Sequence, residues 1–245
     1  MISGPFKNRK AAAAKFRRAI ARSNELHQEY LGNPELMASY DRFTRWQLDY
    51  MLPFFSDLLE PEGYAGAVDF IVSDLCGVGV SERDHDIERA APVIVRSLPG
   101  KSLETAAAAV ELNAEVLEFN LGVWHHLLVA GELPAIISEE DYKAACHATS
   151  SYEECLLLVQ LAVELGTTLK SLVHIPLIKG LLRTMRAPAH AAGYGALQEF
   201  LETGYITFCQ ISDIDRFLDL LNQRMGQIFE HVYHTPLSKL ENSPE

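Results

Sequence analysis

The chain has 245 residues, a formal net charge of −12 at pH 7 and 48% hydrophobic residues. This is an ordinary globular composition, and the chain is long enough to bury a core in one large domain or two small ones. No apolar run reaches the roughly 18 residues of a membrane-spanning helix, and the first residues lack an apolar signal-peptide segment. We therefore expect a cytoplasmic protein with no transmembrane segment.

Basic residues are concentrated at the N-terminus. Residues 1–22 contain seven Lys or Arg side chains and no acid, which leaves 14 basic residues against all 33 acids in the rest of the chain. Such an arm can contact nucleic acid, an anionic membrane or an acidic protein surface. Its few large apolar residues (Phe6, Phe16, Ile20) are too sparse for a membrane anchor, and no aromatic residues are interleaved for base stacking. We predict that the arm docks, mainly by charge, on the acidic body of its own or a neighbouring subunit, and that no nucleic acid is bound.

Three segments are expected: the basic arm at 1–22, an all-helical domain at 23–234 and a polar tail at 235–245. Helices before the central one are predicted at about 7–30, 34–58, 64–76 and 81–98. Asn33 followed by Pro34 is a strong start for the second of them, and Pro53 should kink that helix. Ser81 is the expected cap of the fourth.

A long central helix is predicted over residues 102–130. Its apolar residues alternate in steps of three and four, which is typical of a helix that packs lengthwise on its neighbours. These residues are Leu103, Ala107, Val110, Ala114, Leu117, Leu121, Trp124 and Leu128. Ser102 is the expected N-cap and Gly131 the expected left-handed C-terminal residue.

A second helix of the same pattern follows Ser151, which forms a capping box with Glu154. Its expected buried residues are Cys155, Leu158, Ala162, Leu165, Leu169 and Leu172. We predict that this helix and the central helix are packed neighbours. Later helices are expected from Pro176 to a stop at Pro188, around 194–208, and from Ser212 onwards. The fold class is therefore all-α, a single bundle-like domain of about nine or ten helices.

Common catalytic motifs are absent from the sequence. Neither of the glycine-rich phosphate-binding loops occurs, and there is no G-x-S-x-G nucleophile elbow. The four cysteines form no C-x-x-C pair, so we interpret them as reduced, buried residues. No cofactor is predicted.

One helical stripe could hold a metal ion. Glu111, Glu115, Glu118 and His125 lie beside the buried face of the central helix, and carboxylates with an imidazole are metal ligands in helical bundles. The alternative is an acidic, solvated flank. Weaker candidates are the single Glu-x-x-His spacing at Glu82 and His85 and the C-terminal group of Glu230, His231 and His234.

The densest group of charges is Arg83, Asp84, Asp86 and Arg89 at the start of the fourth helix. One interpretation is a charge network that fixes this helix to the body, in which each arginine finds Asp84 or Asp86. The other is a patch that binds an anion or a protein partner.

Residues 83–89 read R-D-H-D-I-E-R. With Pro92 and Leu98-Pro99 they resemble the R-D-x-D-x-x-R stretch of an uncharacterised bacterial family named for its FFLEELY motif. The motif itself would fall at 69–76, where this sequence departs from it at most positions. Further similar segments are 176–178, 185–189, 192–198 and 200–202, and the resemblance extends over about 43–230. It implies a helical, cytoplasmic bacterial protein, and it implies no activity, substrate or catalytic residue.

A second polar group surrounds Gly193 and Gly195, which permit close backbone approach. Its members are Arg186, His190, Gln198 and Glu202, and they indicate either close helix packing or a small binding pocket. Taken together, the sequence favours a non-enzymatic interaction or ligand-binding module that binds a protein partner or itself. The alternative is a metal- or cofactor-dependent enzyme that uses a Glu/His cluster.

Overall fold

A computed structural model describes residues 5–58, 64–71, 80–98, 100–173 and 176–235. Within these ranges it contains ten α-helices and one 3-10 helix: α1 (Pro5–Leu31), α2 (Pro34–Met51), the 3-10 helix (Leu52–Leu58), α3 (Ala65–Phe70), α4 (Val80–Ser97), α5 (Gly100–Leu127), α6 (Glu139–Thr149), α7 (Tyr152–Val173), α8 (Pro176–Ala191), α9 (Gly195–Gln210) and α10 (Ile214–His234). The described residues form no β-strand, only an isolated bridge between Val129 and Glu132. The prediction of an all-α fold is confirmed. None of the helices in these ranges has the length and hydropathy needed to cross a bilayer.

Helix α5 is the predicted central helix. It begins at Gly100, two residues before the expected cap, and ends at Leu127 rather than Ala130. Five of the eight residues predicted to be buried are buried, and the other three are half-buried. The buried ones are Leu103, Ala107, Ala114, Leu121 and Trp124. Gly131 does adopt a positive φ of 87°, but in a tight turn with Ala130 at φ 53°.

Helices α5 and α7 are in contact, as predicted, although each packs more extensively on another helix. The main neighbour of α5 is α1, and that of α7 is α10. The face of α7 that turns inward carries Cys155 and Val159, whereas Leu158 is only half-buried. The predicted face is confirmed in part: Cys155 is buried, and Leu158, Ala162, Leu165 and Leu169 are all half-buried. The Leu172 side chain lies outside the described set. Because α7 is apolar on several sides, its pattern locates the buried face only approximately.

Helix α1 carries the basic residues of segment 1–22 and continues to Leu31 without a break. It lies along α5 through an apolar cluster that also includes Leu103 and Ala107 of α5. From α1 the buried members are Ala12, Ala13, Phe16 and Ile20, and Phe16 is only 1% exposed. Docking mainly by charge is thus wrong for this helix. The large apolar residues of this segment are sparse, but Ala12 and Ala13 permit close helix packing and add to the buried contact.

The start of α2 is as predicted, because Asn33 Oδ1 accepts a hydrogen bond from Glu35 N at 2.9 Å and Pro34 is the first residue. Its end differs. The α-helix stops at Met51, and the chain continues as a 3-10 helix rather than as a kinked α-helix. Proline removes a backbone donor from the α-helical ladder, and the tighter 3-10 form accommodates Pro53 near its start.

Two other predicted boundaries can be compared with the structure. Pro188 lies inside α8, which ends one turn later at Ala191. The end is stabilised by a hydrogen bond of 2.8 Å from Tyr194 N to Ala189 O, with Gly193 at φ 77°. A proline this near the end of a helix disturbs little of the backbone ladder. Helix α4 begins at Val80, and the predicted end of the third helix at 76 lies outside the described residues.

The cysteines divide into two environments. Cys146 and Cys155 are buried free thiols, and burial raises the pKa of the Cys146 thiol to about 12. Cys209, on α9, is exposed, so its predicted burial is wrong. Its helix exposes more apolar surface than the sequence pattern indicated, and Cys209 shares that outer side. Cys76 lies outside the described residues.

Candidate functional site

The charged group at the start of α4 is largely buried. Arg83 and Asp84 are adjacent in the chain and are 6% and 8% exposed. Arg83 Nε donates a hydrogen bond of 2.8 Å to Asp84 Oδ1, and Arg83 Nη2 lies 2.7 Å from the same oxygen. A buried pair of opposite charges must satisfy its remaining polar atoms to be tolerated.

Those remaining atoms are satisfied by other helices. Asn113 of α5 donates to Asp84 Oδ2 at 3.0 Å and accepts from Arg83 Nη2 at 3.1 Å. His27 of α1 places Nε2 3.4 Å from Asp84 Oδ2. The Arg83 guanidinium also lies over the Phe200 ring of α9, 4.7 Å from its centroid. Four helices therefore meet at one ion pair. We call the group formed by Arg83, Asp84, Asp86 and Arg89 the α4 network.

Asp86 acts on the beginning of α9. It is 7% exposed, and its Oδ2 accepts a hydrogen bond of 3.1 Å from the backbone N of Leu197. The residue before α9, Tyr194, makes no side-chain capping bond of its own. Asp86 thus supplies from α4 the cap that the local sequence lacks, and its negative charge is favourable at a helix N-terminus.

Arg89 is the most exposed member of the α4 network, with 45% of its side chain accessible. It donates to Gly193 O at 3.0 Å and Ala192 O at 3.4 Å, and it lies over the Tyr194 ring at 5.3 Å from the centroid. Asp86 is 3.7 Å away. Both arginines have the carboxylate neighbours expected of them. The contacts are those of a network that joins helices, since the donors and acceptors are directed inward at protein groups.

The second polar group connects α8 with α9. The Arg186 guanidinium binds both carboxylate oxygens of Glu202, and this arginine lowers the pKa of Glu202, with a further contribution from Gln198. Gln198, 5% exposed, donates from Nε2 to Glu202 Oε1 and to Leu182 O, both at 2.8 Å. His190 lies beside this group, with its Nε2 3.7 Å from another acid, Glu199, and it makes a smaller contribution to the lowered pKa of Glu202. Three of the four candidates are therefore brought together.

The glutamate stripe of α5 faces the basic side chains of α1. Glu111 Oε2 lies 2.5 Å from the Lys15 ammonium, and Glu115 Oε1 accepts a hydrogen bond of 3.0 Å from Arg22, which also binds Glu118. In the described part of the chain, no three His, Cys, Asp or Glu side chains are grouped as a metal ion would require.

The remaining histidines that the sequence offered as ligands have separate neighbours. His125 packs on Trp124, with ring centroids 4.9 Å apart. His234 Nδ1 lies 3.2 Å from Glu230, and His85 Nδ1 lies 3.6 Å from Glu88. The Glu82 side chain is outside the described set.

A cluster that the sequence analysis missed lies between α2, α6 and α10. Lys143, 1% exposed, and His231 each place a nitrogen 2.7 Å from Glu139 Oε1, and Tyr50 donates to the same oxygen at 3.4 Å. Burial raises the pKa of Glu139, but hydrogen bonds and charge from Lys143 and His231 outweigh it, so the pKa is lowered. The spacing of Glu139 and Lys143, one helical turn apart, was visible in the sequence. The approach of His231 from 92 residues away was not.

Exposed apolar side chains are concentrated on three consecutive helices. Among the described residues, nine large apolar side chains are exposed, and six of them lie on α7, α8 and α9: Leu157, Leu161, Leu181, Met185, Leu201 and Ile206. Leu157 and Leu161 lie outside the predicted buried face of α7. Two leucines left outside a buried face were the signal in the sequence that indicated an exposed apolar surface. A separate cleft between the 3-10 helix, α3 and α10 is lined by apolar residues alone: Phe55, Leu58, Val68, Ile71, Phe217 and Leu221.

The fold and these contacts define an all-helical protein whose buried charges join its helices. Over residues 26–238 the chain matches the family described as "Domain of unknown function (DUF8198)", and it belongs to that family. The match begins near the end of α1 and takes in every later helix. No curated protein and no solved structure matches the chain.

Proposed function

We propose that this protein is a non-enzymatic interaction module that binds a protein through the exposed side of α7, α8 and α9. The observation that carries the proposal is the concentration there of six exposed large apolar side chains. Scattered apolar residues are normal on a protein surface, but contiguous apolar area is typical of an interaction site.

Helix α8 shows why a partner is expected. It packs on α9 and more sparsely on α7, and nearly all of its residues from 179 to 188 are exposed. Leu181 is 54% and Met185 44% exposed. Burying a leucine or methionine side chain fully contributes about 1.5–3 kcal/mol, so covering this helix would stabilise a complex appreciably.

The alternative function, a metal- or cofactor-dependent enzyme, receives less support. The acids that would bind a cation, Glu111, Glu115 and Glu118, instead pair with Lys15 and Arg22. A cation at this stripe would have to displace those side chains. Stoichiometric iron, manganese or zinc in protein purified without a tag would reverse the order of the two proposals.

The interaction proposal can be tested with a photo-crosslinking amino acid placed at position 181 of the full chain, produced in its native cell. We expect one or a few discrete crosslinked species. Gln28, an exposed residue of α1, is the matched control position. Crosslinking from 181 no greater than from 28 would contradict the proposal.

We also propose that the chain is a diverged member of the bacterial FFLEELY-motif family and acts in the cytoplasm. The support is the R-D-x-D-x-x-R stretch, whose arginines and aspartates all make contacts in the α4 network. A structure of a motif-bearing protein that lacks this network would argue against the relationship. Fractionation of native cells would test the location.

A further inference from the structure

We propose that helices α8 and α9 form an arm that opens from the rest of the protein as one unit while the other helices stay folded. The arm comprises residues 176–210. The contacts that Asp86 and Arg89 make with it, which we call the latch, hold it closed. Because the opening needs no partner, it is independent of the interaction function proposed above.

The arm buries few side chains. Of its described side chains, at residues 178–210, only Ala189 and Gln198 are buried, and neither is a large apolar residue. Helix α10 alone buries six, all of them large and apolar, such as Phe217 at 2% exposed. A helix in a protein is stabilised mainly by burying an apolar face, and segments with few buried apolar contacts open at a lower free energy than the core. We therefore expect the arm to open before the rest of the chain unfolds.

The arm is anchored to the hydrophobic core at one end. Among the described residues the core consists of three hydrophobic clusters, and the only arm residue that packs against any of them is Phe208, near the end of α9. Ile211, which follows the arm, is buried in the largest cluster and is 6% exposed. The end of α9 is thus fixed, and the hinge of the opening is expected there.

The latch lies at the other end of α9, roughly 20 Å from Phe208 along the helix. Asp86 accepts a hydrogen bond from Leu197 N, and Arg89 donates to two carbonyls of the turn between α8 and α9. Tyr194 OH donates to Arg89 O at 3.4 Å. These contacts are polar, and the Arg89 side chain is 45% exposed. Because water can replace the partners of exposed polar groups, the latch can be released at little cost in exposed apolar surface.

Between the latch and the hinge, the arm contacts the body through an aromatic ring. Phe200 of α9 stacks on Phe70 of α3, with ring centroids 5.4 Å apart, and it also lies beneath the Arg83 guanidinium. Both rings are half-buried. Separating them therefore exposes less apolar surface than separating a pair of rings in the core.

The two helices of the arm are connected to each other. Gln198 of α9 donates to Leu182 O of α8 at 2.8 Å, and the Arg186 guanidinium of α8 binds the Glu202 carboxylate of α9. Helix α8 also packs mainly on α9. We therefore expect α8 and α9 to open together.

Opening of the arm changes the exposed apolar surface of the protein. Leu181 and Leu201 lie on the arm, whereas Leu157 and Leu161 lie on α7. The exposed apolar side chains of the three helices thus form one surface only while the latch is closed.

Hydrogen exchange followed by mass spectrometry on the purified full chain measures the opening helix by helix. In the parent, the amides of α8 and α9 should be protected relative to an unfolded chain. They should nevertheless exchange about 100-fold or more faster than the slowest amides of α5 and α10. Low concentrations of urea should change the arm rates little, because a local opening exposes less surface than global unfolding.

The latch is tested by Asp86→Ala combined with Arg89→Ala. This variant should raise the exchange rates throughout α8 and α9 by about 10-fold or more, since hydrogen bonds to charged groups are lost. The matched control is Asp215→Ala combined with Lys170→Ala, which removes an ion pair between α7 and α10 and should leave the arm rates unchanged. Should the latch variant fail to fold, Arg89→Ala alone decides, with a smaller rise in the arm rates.

A variant of the body tests whether the arm opens separately. Ile228 of α10 is 1% exposed and keeps its contacts when the arm opens. Ile228→Val should raise the exchange rates of the slowest amides of α5 and α10 by about 2–10-fold, since it weakens the core. It should leave the rates of α8 and α9 at the parent values.

Arm rates that rise with those of α5 in Ile228→Val would overturn the proposal, because the arm would then open only when the whole protein unfolds. Arm amides without any protection in the parent would overturn it too, since no closed state would exist. So would latch variants that leave the arm rates unchanged. Crosslinking from position 181 that captures nothing would remove the interaction function and leave these exchange results as they are.

Discussion

Asn113 Nδ2 donates a hydrogen bond of 3.0 Å to Asp84 Oδ2, although 29 residues and a helix boundary separate them. The same amide accepts from Arg83 at 3.1 Å through its oxygen. One asparagine thereby contacts both members of the ion pair and satisfies a donor and an acceptor that burial would otherwise leave unpaired. This makes a pair of adjacent residues on α4 into a connection between α4 and α5.

We predict that Asp84→Ala lowers the free energy of unfolding by about 3–5 kcal/mol, because it leaves the Arg83 guanidinium buried without its carboxylate. Asp215→Ala is the matched control, since its partner Lys170 lies 2.5 Å away but the Asp215 side chain is 67% exposed. That change should cost about 1 kcal/mol or less. Urea unfolding measures both. Equal losses would mean that the α4 pair is effectively solvated.

The loss in unfolding free energy caused by Arg89→Ala should lie between the losses caused by Asp84→Ala and Asp215→Ala. Its side chain is 45% exposed, but its bonds to Gly193 O and Ala192 O hold the turn before α9. Hydrogen bonds from a charged group contribute about 1.5–3 kcal/mol when well formed, and partial exposure reduces this. We expect a loss of about 1–2 kcal/mol in urea unfolding. A midpoint identical to that of the parent would show that these bonds do not stabilise the fold.

The docking of α1 can be divided into apolar and charged contributions. Phe16→Ala should lower the free energy of unfolding by about 3–5 kcal/mol, because a large ring that is 1% exposed is lost from the contact with α5. Lys15→Ala should cost about 1 kcal/mol or less, since both it and Glu111 are more than 40% exposed. Thermal or urea unfolding at low and high salt separates them. The loss from Phe16→Ala should be insensitive to salt, and a salt-dependent loss would restore the interpretation that charge dominates.

Local patterns predicted the elements of this fold well. The alternation of apolar residues located α5, and Asn33 with Pro34 located the start of α2, because a 3.6-residue period and a capping side chain act within a few residues of sequence. The same period located the inward side of α7 only approximately, since Cys155 is buried but the other predicted residues with described side chains are half-buried. A helix with leucines on several faces is oriented by its neighbours, here α10, and not by its own pattern.

The candidate sites were less predictable, because their geometry depends on contacts between distant residues. The segment 83–89 was recognised as charged, but the cap that Asp86 provides for α9 joins residues 111 apart. Likewise, His231 was assigned to a C-terminal group, whereas it contacts Glu139 at the start of α6. The sequence shows which side chains have complementary charges, but the packing of the helices determines which of them form pairs.

The Glu139 cluster should make stability depend on acid pH. Burial raises the pKa of Glu139, yet Lys143 and His231 lower it overall below its ordinary 4.5. A pKa depressed by folding stabilises the protein fully above the unfolded value, and this contribution is lost as the pH falls through the folded value. The parent should therefore exceed Glu139→Gln in stability near neutral pH, and the difference should shrink below about pH 4.5. A difference that stays constant in acid would contradict the prediction.

Gly122→Ala should destabilise the protein although alanine is the better helix former. A Cβ at position 122 would lie 2.5 Å from Thr149 Cγ2. Thr149 has little freedom to move away, because β-branched side chains are stiff and its hydroxyl bonds to Ala145 O at 2.8 Å. Overpacking of this kind costs about 1–3 kcal/mol, against a gain of up to about 1 kcal/mol in helix propensity.

The control for this change is Gly226→Ala in α10, where a Cβ would meet no atom within 4 Å. It should stabilise the protein by about 0.5–1 kcal/mol. Since both substitutions gain the same propensity, the difference between their unfolding free energies isolates the steric cost at Thr149. Thr149→Ser removes the obstructing methyl group and keeps the hydroxyl, so combining it with Gly122→Ala should recover much of the loss. No recovery in the double variant would mean that α5 and α6 do not approach each other at this point.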